Sequence, residues 1–421
     1  MNANQLNHTA QVLENMLTFQ QPADAIISAY FRNHHKLGRA DRHEIAETAF
    51  AALRHYQKIT SALRRPHVQA RKAALAALVL GRSFNINQLE DILNEADGEK
   101  EFLSSLKARK AEFSGSLNTV AELPDWLITR LQVHWEDEQI QAFGRSVAQS
   151  APLDVRVNTL KGKRDKILAQ LQTEFPKAIA TPYAPHGIRF PDKPALNKHE
   201  LFLNGTLEVQ DEGSQLLAHL VGAKRGEMVV DFCAGAGGKT LAIGAQMANK
   251  GRIYAFDVSE KRLANLKPRM TRAGLTNIHP ERIESEHDPR IARLYGKADR
   301  VLVDAPCSGL GTLRRNPDLK YRQSPETIEK LLQQQQNILQ AASQLVGAGG
   351  RLVYATCSVL PEENEMQIAE FLENNPQFEL VDCSELLSAQ KIDLNTGQFL
   401  ILNTAAHGTD GFFAAVLQRK A

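Results

Sequence analysis

Two cysteines stand where short apolar runs end. One follows Arg300-Val-Leu-Val-Asp-Ala-Pro306, at Cys307, and the other follows Leu352-Val-Tyr-Ala-Thr356, at Cys357. A thiol becomes a nucleophile once it loses its proton, and a carboxylate beside it, here Asp304, can exchange hydrogen bonds with a substrate. The elements that must position these groups are strands. Val301, Leu302 and Val303 read as a strand buried on both faces. Pro306 cannot donate to a sheet ladder, so the strand must stop there. Asp304 and Cys307 then lie at the carboxyl end of a parallel strand, the edge where ligands bind in open α/β sheets. Cys357 is expected to top the neighbouring strand. Two thiols and a carboxylate would converge on one crevice.

The chain has only four cysteines, Cys233, Cys307, Cys357 and Cys383. None forms a Cys-x-x-Cys pair, so no metal site is expected, nor is a structural disulfide in a reducing compartment. The 421 residues suffice for two or three domains, and 43% hydrophobic with 23% charged content is ordinary for a globular protein. No apolar run approaches the roughly 18 residues that would span a bilayer. The first twenty residues lack a basic start followed by an apolar core, so the expected location is the cytoplasm. The net charge is +2, unevenly spread. Phe31–Leu75 carries ten Lys and Arg against three Asp and Glu, and Ala76–Ile140 carries six against twelve. A basic block of that kind is a candidate nucleic-acid face.

A glycine loop, Asp231-Phe-Cys-Ala-Gly-Ala-Gly-Gly-Lys-Thr240, follows the first apolar run of the second half. Gly235, Gly237 and Gly238 permit a tight turn and close approach to a ligand, which the next helix would meet with its N-terminal N–H groups. A phosphate-binding P-loop needs a glycine five residues before Gly238, but Cys233 stands there. A dinucleotide loop needs glycine or alanine at Thr240. The third reading is S-adenosylmethionine, with Asp257 closing the second strand where a carboxylate accepts hydrogen bonds from ribose hydroxyls. The loop, Asp257 and Asp304-Ala-Pro-Cys307 together favour this reading.

Around these motifs the chain reads as three segments. Residues 1–140 are helical, with helical spacing over Ala40–Leu63, an Ala- and Leu-rich helix at Ala70–Leu80, a break at Pro66, and shorter helices at Asp91–Ala96 and Asp125–Trp135. His34, His35, His43 and His55 lack ligand spacing and are read as surface or RNA-facing residues. Residues 141–206 form a small α+β module, with strands at Leu153–Asn158 and Gly187–Phe190 and a helix at Asp165–Leu171. Residues 207–421 alternate strands and helices, with strands at Met228–Phe232, Arg252–Phe256, Arg300–Asp304, Arg351–Ala355 and Phe412–Leu417. This pattern predicts a Rossmann-like α/β domain.

Asp231-x-Cys-Ala-Gly-Ala-Gly-Gly-Lys-Thr240, Asp304-Ala-Pro-Cys-Ser308 and Thr356-Cys-Ser358 resemble the motifs of RsmB/NOP-type RNA (cytosine-5)-methyltransferases. Val209-Gln-Asp-Glu-Gly-Ser214 resembles the segment that opens the catalytic domain of that family, and Gly408-Thr-Asp-Gly-Phe-Phe413 a motif near its end. Arg156-Val-Asn158 matches the preceding RRM-like module. Arg39-Ala-Asp-Arg and Ala52-Leu-Arg54 are more weakly similar to the NusB-like, RNA-binding domain of the bacterial rRNA members.

The resemblance implies methyl transfer from S-adenosylmethionine to carbon 5 of a cytosine in RNA, 16S rRNA being the expected substrate. Carbon 5 is a poor nucleophile until a thiolate adds to carbon 6, and a second group must later remove the carbon 5 proton. By resemblance Cys357 is the nucleophile and Cys307 assists proton removal and release; residue types alone do not choose between them. Lys239 either supplies the positive charge that a thiolate needs or orients Asp304, which would bond the cytosine edge. The cofactor set is Cys233, Ala234, Gly235, Ala236, Gly237, Gly238, Lys239, Asp257 and Asp304, with Glu284, or alternatively Asp288, beside the adenine. Arg314, Arg315, Lys320 and Arg322, just after Cys307, suit phosphate contacts beside an extruded base. The rival readings are a P-loop nucleotide hydrolase and an RNA-binding assembly factor with a degenerate methyltransferase fold. A monomer is the default expectation.

Overall fold

Val301, Leu302 and Val303 are fully buried, and their side chains divide between two cores. Leu302, Val353 and Ala355 pack on one face of a sheet; Val301, Val303, Leu352 and Tyr354 pack on the other. This period of two within an apolar run is what a strand covered on both faces requires. Each such side chain contributes about 1.5–3 kcal/mol of burial.

The computed structural model describes residues 1–63, 69–94, 97–109, 113 and 115–421. Among the described residues there are twelve strands: β1 (Leu153–Val157), β2 (Ile179–Ala180), β3 (Gly187–Phe190), β4 (Leu207–Val209), β5 (Met228–Asp231), β6 (Arg252–Asp257), β7 (Ile278–Arg282), β8 (Ala298–Asp304), β9 (Val346–Thr356), β10 (Phe378–Val381), β11 (Leu400–Leu402) and β12 (Phe412–Arg419). The chain divides into two compact units: Met1–Ala151 with Thr312–Pro325, and Pro152–Gly311 with Glu326–Ala421.

In the second unit the large sheet has the order β10-β12-β9-β8-β5-β6-β7, with β11 beside β12. Strands β5 to β9 are parallel, and β12 runs antiparallel between β9 and β10, so that β10 points the same way as the parallel strands. Because β5 is flanked by β6 and β8, the strand order reverses beside β5, and a crevice opens there at the carboxyl ends. β7 was not expected from the sequence. Its Pro280 and its charged residues suit the edge position that it occupies. The smaller sheet, β2-β3-β1-β4, is antiparallel and carries the helix Arg164–Gln172. The Val209–Ser214 segment joins the two sheets. Gln210 accepts a hydrogen bond from Arg156 at 2.7 Å, and the buried Glu212 accepts from the backbone of Ala184 at 2.9 Å and from Arg189 at 3.4 Å.

The first unit is helical, built around Ala70–Gly81, in which Ala73 to Leu78 are all fully buried. The single helix expected over Ala40–Leu63 is two, Arg39–Arg54 and Tyr56–Leu63, broken at His55. Pro66 lies outside the described residues, as do 95 and 96 of the helix expected at Asp91–Ala96; a 3-10 helix ends there at Ile92. The basic and acidic blocks partly neutralise each other. Arg71 pairs with Glu99 at 2.7 Å and Lys58 with Glu122 at 3.2 Å.

The segment Thr312–Pro325 also belongs to this unit, which corrects the expectation of a basic loop for RNA phosphates. Arg314 and Lys320 are buried. The Lys320 Nζ donates to the backbone oxygens of Glu122 at 2.6 Å and Arg54 at 3.2 Å, and Arg322 pairs with Asp318. Tyr321 packs on Phe19 and Tyr56, with ring centroids 4.8 and 5.0 Å away. Aromatic packing and carbonyls that need donors take up these side chains.

Candidate active site

A cleft of about 590 Å³ opens at the carboxyl ends of β5, β6, β8 and β9. Asp231, Asp257 and Asp304 end three of these strands and all line it, as do Cys307 and Cys357. The two sulfurs are 3.4 Å apart, and the Cys357 backbone N–H donates to the Cys307 sulfur at 3.3 Å. Both thiols are free.

The Lys239 Nζ donates to Asp304 at 2.7 Å. Burial pulls the Lys239 ammonium down, but Asp304, the Cys357 sulfur and Asp231 outweigh it, so its pKa is raised and the charge is kept. Lys239 also lies over the Phe412 ring, 5.7 Å from the centroid. This places the terminal motif: Gly411 donates to the Gly311 oxygen at 2.8 Å, and Gly311 donates to the Cys357 oxygen at 2.8 Å. A Cβ on Gly311 would come within 2.2 Å of the Gly411 oxygen, so only glycine fits at this crossing.

The hydrogen bond with Cys357 comes first among the causes that hold the Cys307 thiol well above its ordinary range; burial and the charge of Glu363 add to it. Burial likewise raises the Cys233 thiol, helped by Asp304 and Asp231. Cys383 is a core residue with no part in the cleft, its thiol pushed up to about 12 by burial.

Ala234, Gly235, Ala236 and Gly238 line the cleft with Cys233, while Gly237 serves the turn. Gly237 has φ +84°, and a Cβ there would meet Leu266 at 2.1 Å. Beside Gly235, also in the left-handed region, there is open space. Asp257 accepts from the backbone N–H groups of Gly235 at 2.8 Å and Ser259 at 2.7 Å, which leaves each oxygen a further lone pair.

Neither of the residues expected beside the adenine, Glu284 and Asp288, lines the cleft. Glu284 is 69% exposed and pairs with Arg282. Asp288 caps the turn Pro289–Ala292, accepting from the Arg290 and Glu284 N–H groups and pairing with Arg290. After β7 the inward-facing residue is Ile283, which turns Glu284 outward, and Glu286 reaches the cleft.

Sequence reasoning also missed Asp231. Asp231 is buried, accepts from the Thr240 hydroxyl at 2.6 Å, and has one oxygen with no partner among the described residues. Burial raises its carboxyl to about 7; the Thr240 bond and Lys239 oppose this, and Asp304 and Asp257 reinforce it. Its place at a strand end, matching Asp257 and Asp304, was the available signal.

Residues 218–418 match the model of the family described as 16S rRNA methyltransferase RsmB/F, and residues 123–196 match its ferredoxin-like domain. The probable ribosomal RNA small subunit methyltransferase B of Synechocystis is 35% identical over 305 residues, covering 72% of this chain and 68% of that protein. The ribosomal RNA small subunit methyltransferase B of Escherichia coli O127:H6 is 33% identical over 352 residues, covering 83% and 78%. The crystal structure of PH0851 superposes with a TM-score of 0.81 at 25% identity, over 100% of this chain and 99% of that one. Among the described residues no helix is long and apolar enough to cross a membrane, and no cluster of side chains suits a metal ion. Identity sustained over more than two thirds of these relatives, through both the small module and the cleft-bearing sheet, makes the chain a member of the 16S rRNA methyltransferase RsmB/F family.

Proposed function

We propose that the chain methylates carbon 5 of a cytosine in 16S rRNA, in the cytoplasm, through a transient bond between Cys357 and carbon 6 of the base. The observation that carries this reading is the pair of free thiols 3.4 Å apart, in the same cleft as the Lys239–Asp304 ion pair.

The family's cofactor is S-adenosylmethionine, and the cleft fits it. The unpartnered Asp231 oxygen suits a cationic amino group. The spare lone pairs of Asp257 suit a ribose diol, and the open space at Gly235 lets a ligand approach the backbone. Phe232, Ile283 and Ile338 supply apolar walls for a purine, and Glu286 can accept from its edge. When bound, S-adenosylmethionine supplies an electrophilic methyl group.

The protein's own residues do the rest. Lys239 keeps its charge and interacts with Cys357, so it can offset negative charge in the cleft during attack. Asp304 is positioned by Lys239 to bond the cytosine edge as charge develops on the ring. The Cys357 sulfur adds to carbon 6, and the electron pair of the carbon 5–carbon 6 double bond makes carbon 5 nucleophilic. After methylation Cys307 takes the carbon 5 proton, the double bond re-forms, and the bond to Cys357 breaks with its electron pair returning to sulfur.

The test uses purified protein, labelled cofactor and 16S rRNA. Cys357→Ala is expected to abolish methyl transfer. Cys307→Ala is expected to transfer the methyl group yet accumulate an RNA–protein adduct that survives denaturing electrophoresis. Normal turnover by Cys357→Ala would overturn the assignment.

A further inference from the structure

The two cysteine loops meet over one buried carboxylate. Glu363, on the short turn Pro361–Glu363, has no solvent exposure. Its oxygens accept from the Ser308 N–H at 2.8 Å, the Ser308 hydroxyl at 2.5 Å, Gln335 at 2.9 Å and the Ser358 hydroxyl. Its backbone oxygen accepts from the Tyr354 hydroxyl at 2.7 Å. Ser308 directly follows Cys307, and Ser358 directly follows Cys357. The two hydroxyl oxygens are 3.1 Å apart; both hydroxyls donate to Glu363, and Ser308 shares its one hydrogen between the carboxylate and the Ser358 oxygen. Four donors on one side chain are the pattern of an acceptor-only carboxylate. A buried charge stabilises nothing by itself. Its effect here is to tie together two loops that both present a thiol to the cleft.

We propose that Glu363 is a positioning residue of the reaction, holding the two cysteine loops in register and keeping the proton of the thiol pair on Cys307. The inference rests on the cytosine-5 reading above. Cys307 meets the Cys357 sulfur and N–H from the end of β9; the charges that act on it are those of Cys357 and Glu363, it acts in turn on the buried Tyr354 hydroxyl, and the Lys239 ammonium interacts with Cys357 and Asp304.

Before attack, the Cys307 S–H donates to the Cys357 thiolate. Once the Cys357 sulfur is bonded to carbon 6, that acceptor and its charge are gone, and Cys307 releases its proton to water. Glu363 remains and keeps the Cys307 thiolate basic. The thiolate then takes the carbon 5 proton; the electron pair left by that proton forms the carbon 5–carbon 6 double bond, and the carbon 6–sulfur pair returns to Cys357. Glu363→Gln keeps the size of the side chain and removes its charge, so it weakens this base.

The test uses the full chain carrying Glu363→Gln or Ser308→Ala, with folding checked by circular dichroism. Alkylation of Cys307 by iodoacetamide is followed against pH by peptide mass spectrometry, without RNA. Glu363→Gln is expected to move the midpoint down by about one pH unit. Ser308→Ala, which strips a donor from the carboxylate and leaves its charge, is expected to move it up. Were Glu363→Gln not to fold, the sign of the Ser308→Ala shift alone would decide. In single turnovers with 16S rRNA, Glu363→Gln is expected to slow release at least tenfold more than bond formation. Unchanged midpoints, shifts of the same sign, or equal slowing of both steps would overturn the proposal. The alkylation readout needs no methyl transfer, so failure of the cytosine-5 reading, seen as no adduct with any variant, is told apart from failure of this one.

Discussion

Acidification from pH about 7.5 to about 6.0 should weaken S-adenosylmethionine binding about eightfold, because Asp231 must be ionised to receive the cofactor's amino group. Burial raises the Asp231 carboxyl to about 7. The ionised fraction is then roughly three quarters at the higher pH and roughly a tenth at the lower, and the apparent Kd scales inversely with that fraction. The same shift bears on stability. The folded pKa lies above the ordinary 3.8 of the unfolded chain, so between pH about 4 and 7 the native state binds the extra proton and stability falls as pH rises through that window. Isothermal titration of the full chain at the two pH values measures the affinity, and urea melts at the same values measure the stability. Asp231→Asn should bind weakly at both pH values and lose the slope in both experiments. Equal affinity of the wild type at the two values, or a slope retained by Asp231→Asn, would refute the reasoning.

Two neighbouring glycines should separate stability from binding. Gly237→Ala forces a side chain into the left-handed region and against Leu266, and should cost about 2–4 kcal/mol in a urea melt. Gly235→Ala meets open space, so it should cost about 1 kcal/mol in stability while weakening cofactor binding more than Gly237→Ala does. Lys320→Met leaves the Glu122 and Arg54 carbonyls without their donor and should cost about 1–3 kcal/mol at neutral pH. Burial pulls the Lys320 ammonium down to about 8 from the ordinary 10.5, so the wild type should gain stability as pH rises from about 8 to about 10, a gain absent in Lys320→Met.

The strands that line the cleft were legible because each carries a short apolar run that ends in a polar residue or a turn. Pro306 is the plainest case, and Asp304 and Cys307 stand where it predicts. The glycine loop was legible for a similar reason, since its left-handed positions admit few residue types. Glu284 was expected in the cleft but does not line it, because the sequence beyond an edge strand does not reveal which residue turns inward. That depends on Ile283 entering the core. Glu363 was invisible because its hydrogen bonds exist only where two loops fifty residues apart meet at Ser308 and Ser358. The basic run at 314–322 misled for the opposite reason. Charge in sequence suggests a solvated surface, whereas Lys320 is drawn inward by carbonyls from residues 54 and 122.

That insertion also orders events during synthesis. The helical unit closes around Lys320 and Tyr321, yet the 160 residues from Pro152 to Gly311 are made between its first part and its last. At about 5–20 residues per second the wait is about 10–30 seconds. Throughout it the Glu122 and Arg54 carbonyls lack their lysine, and the Tyr56 and Phe19 rings lack the Tyr321 ring that packs on both. A nascent chain halted before Pro325 should therefore bear an open helical unit, sensitive to proteases and attractive to chaperones, which closes only when translation has passed that point.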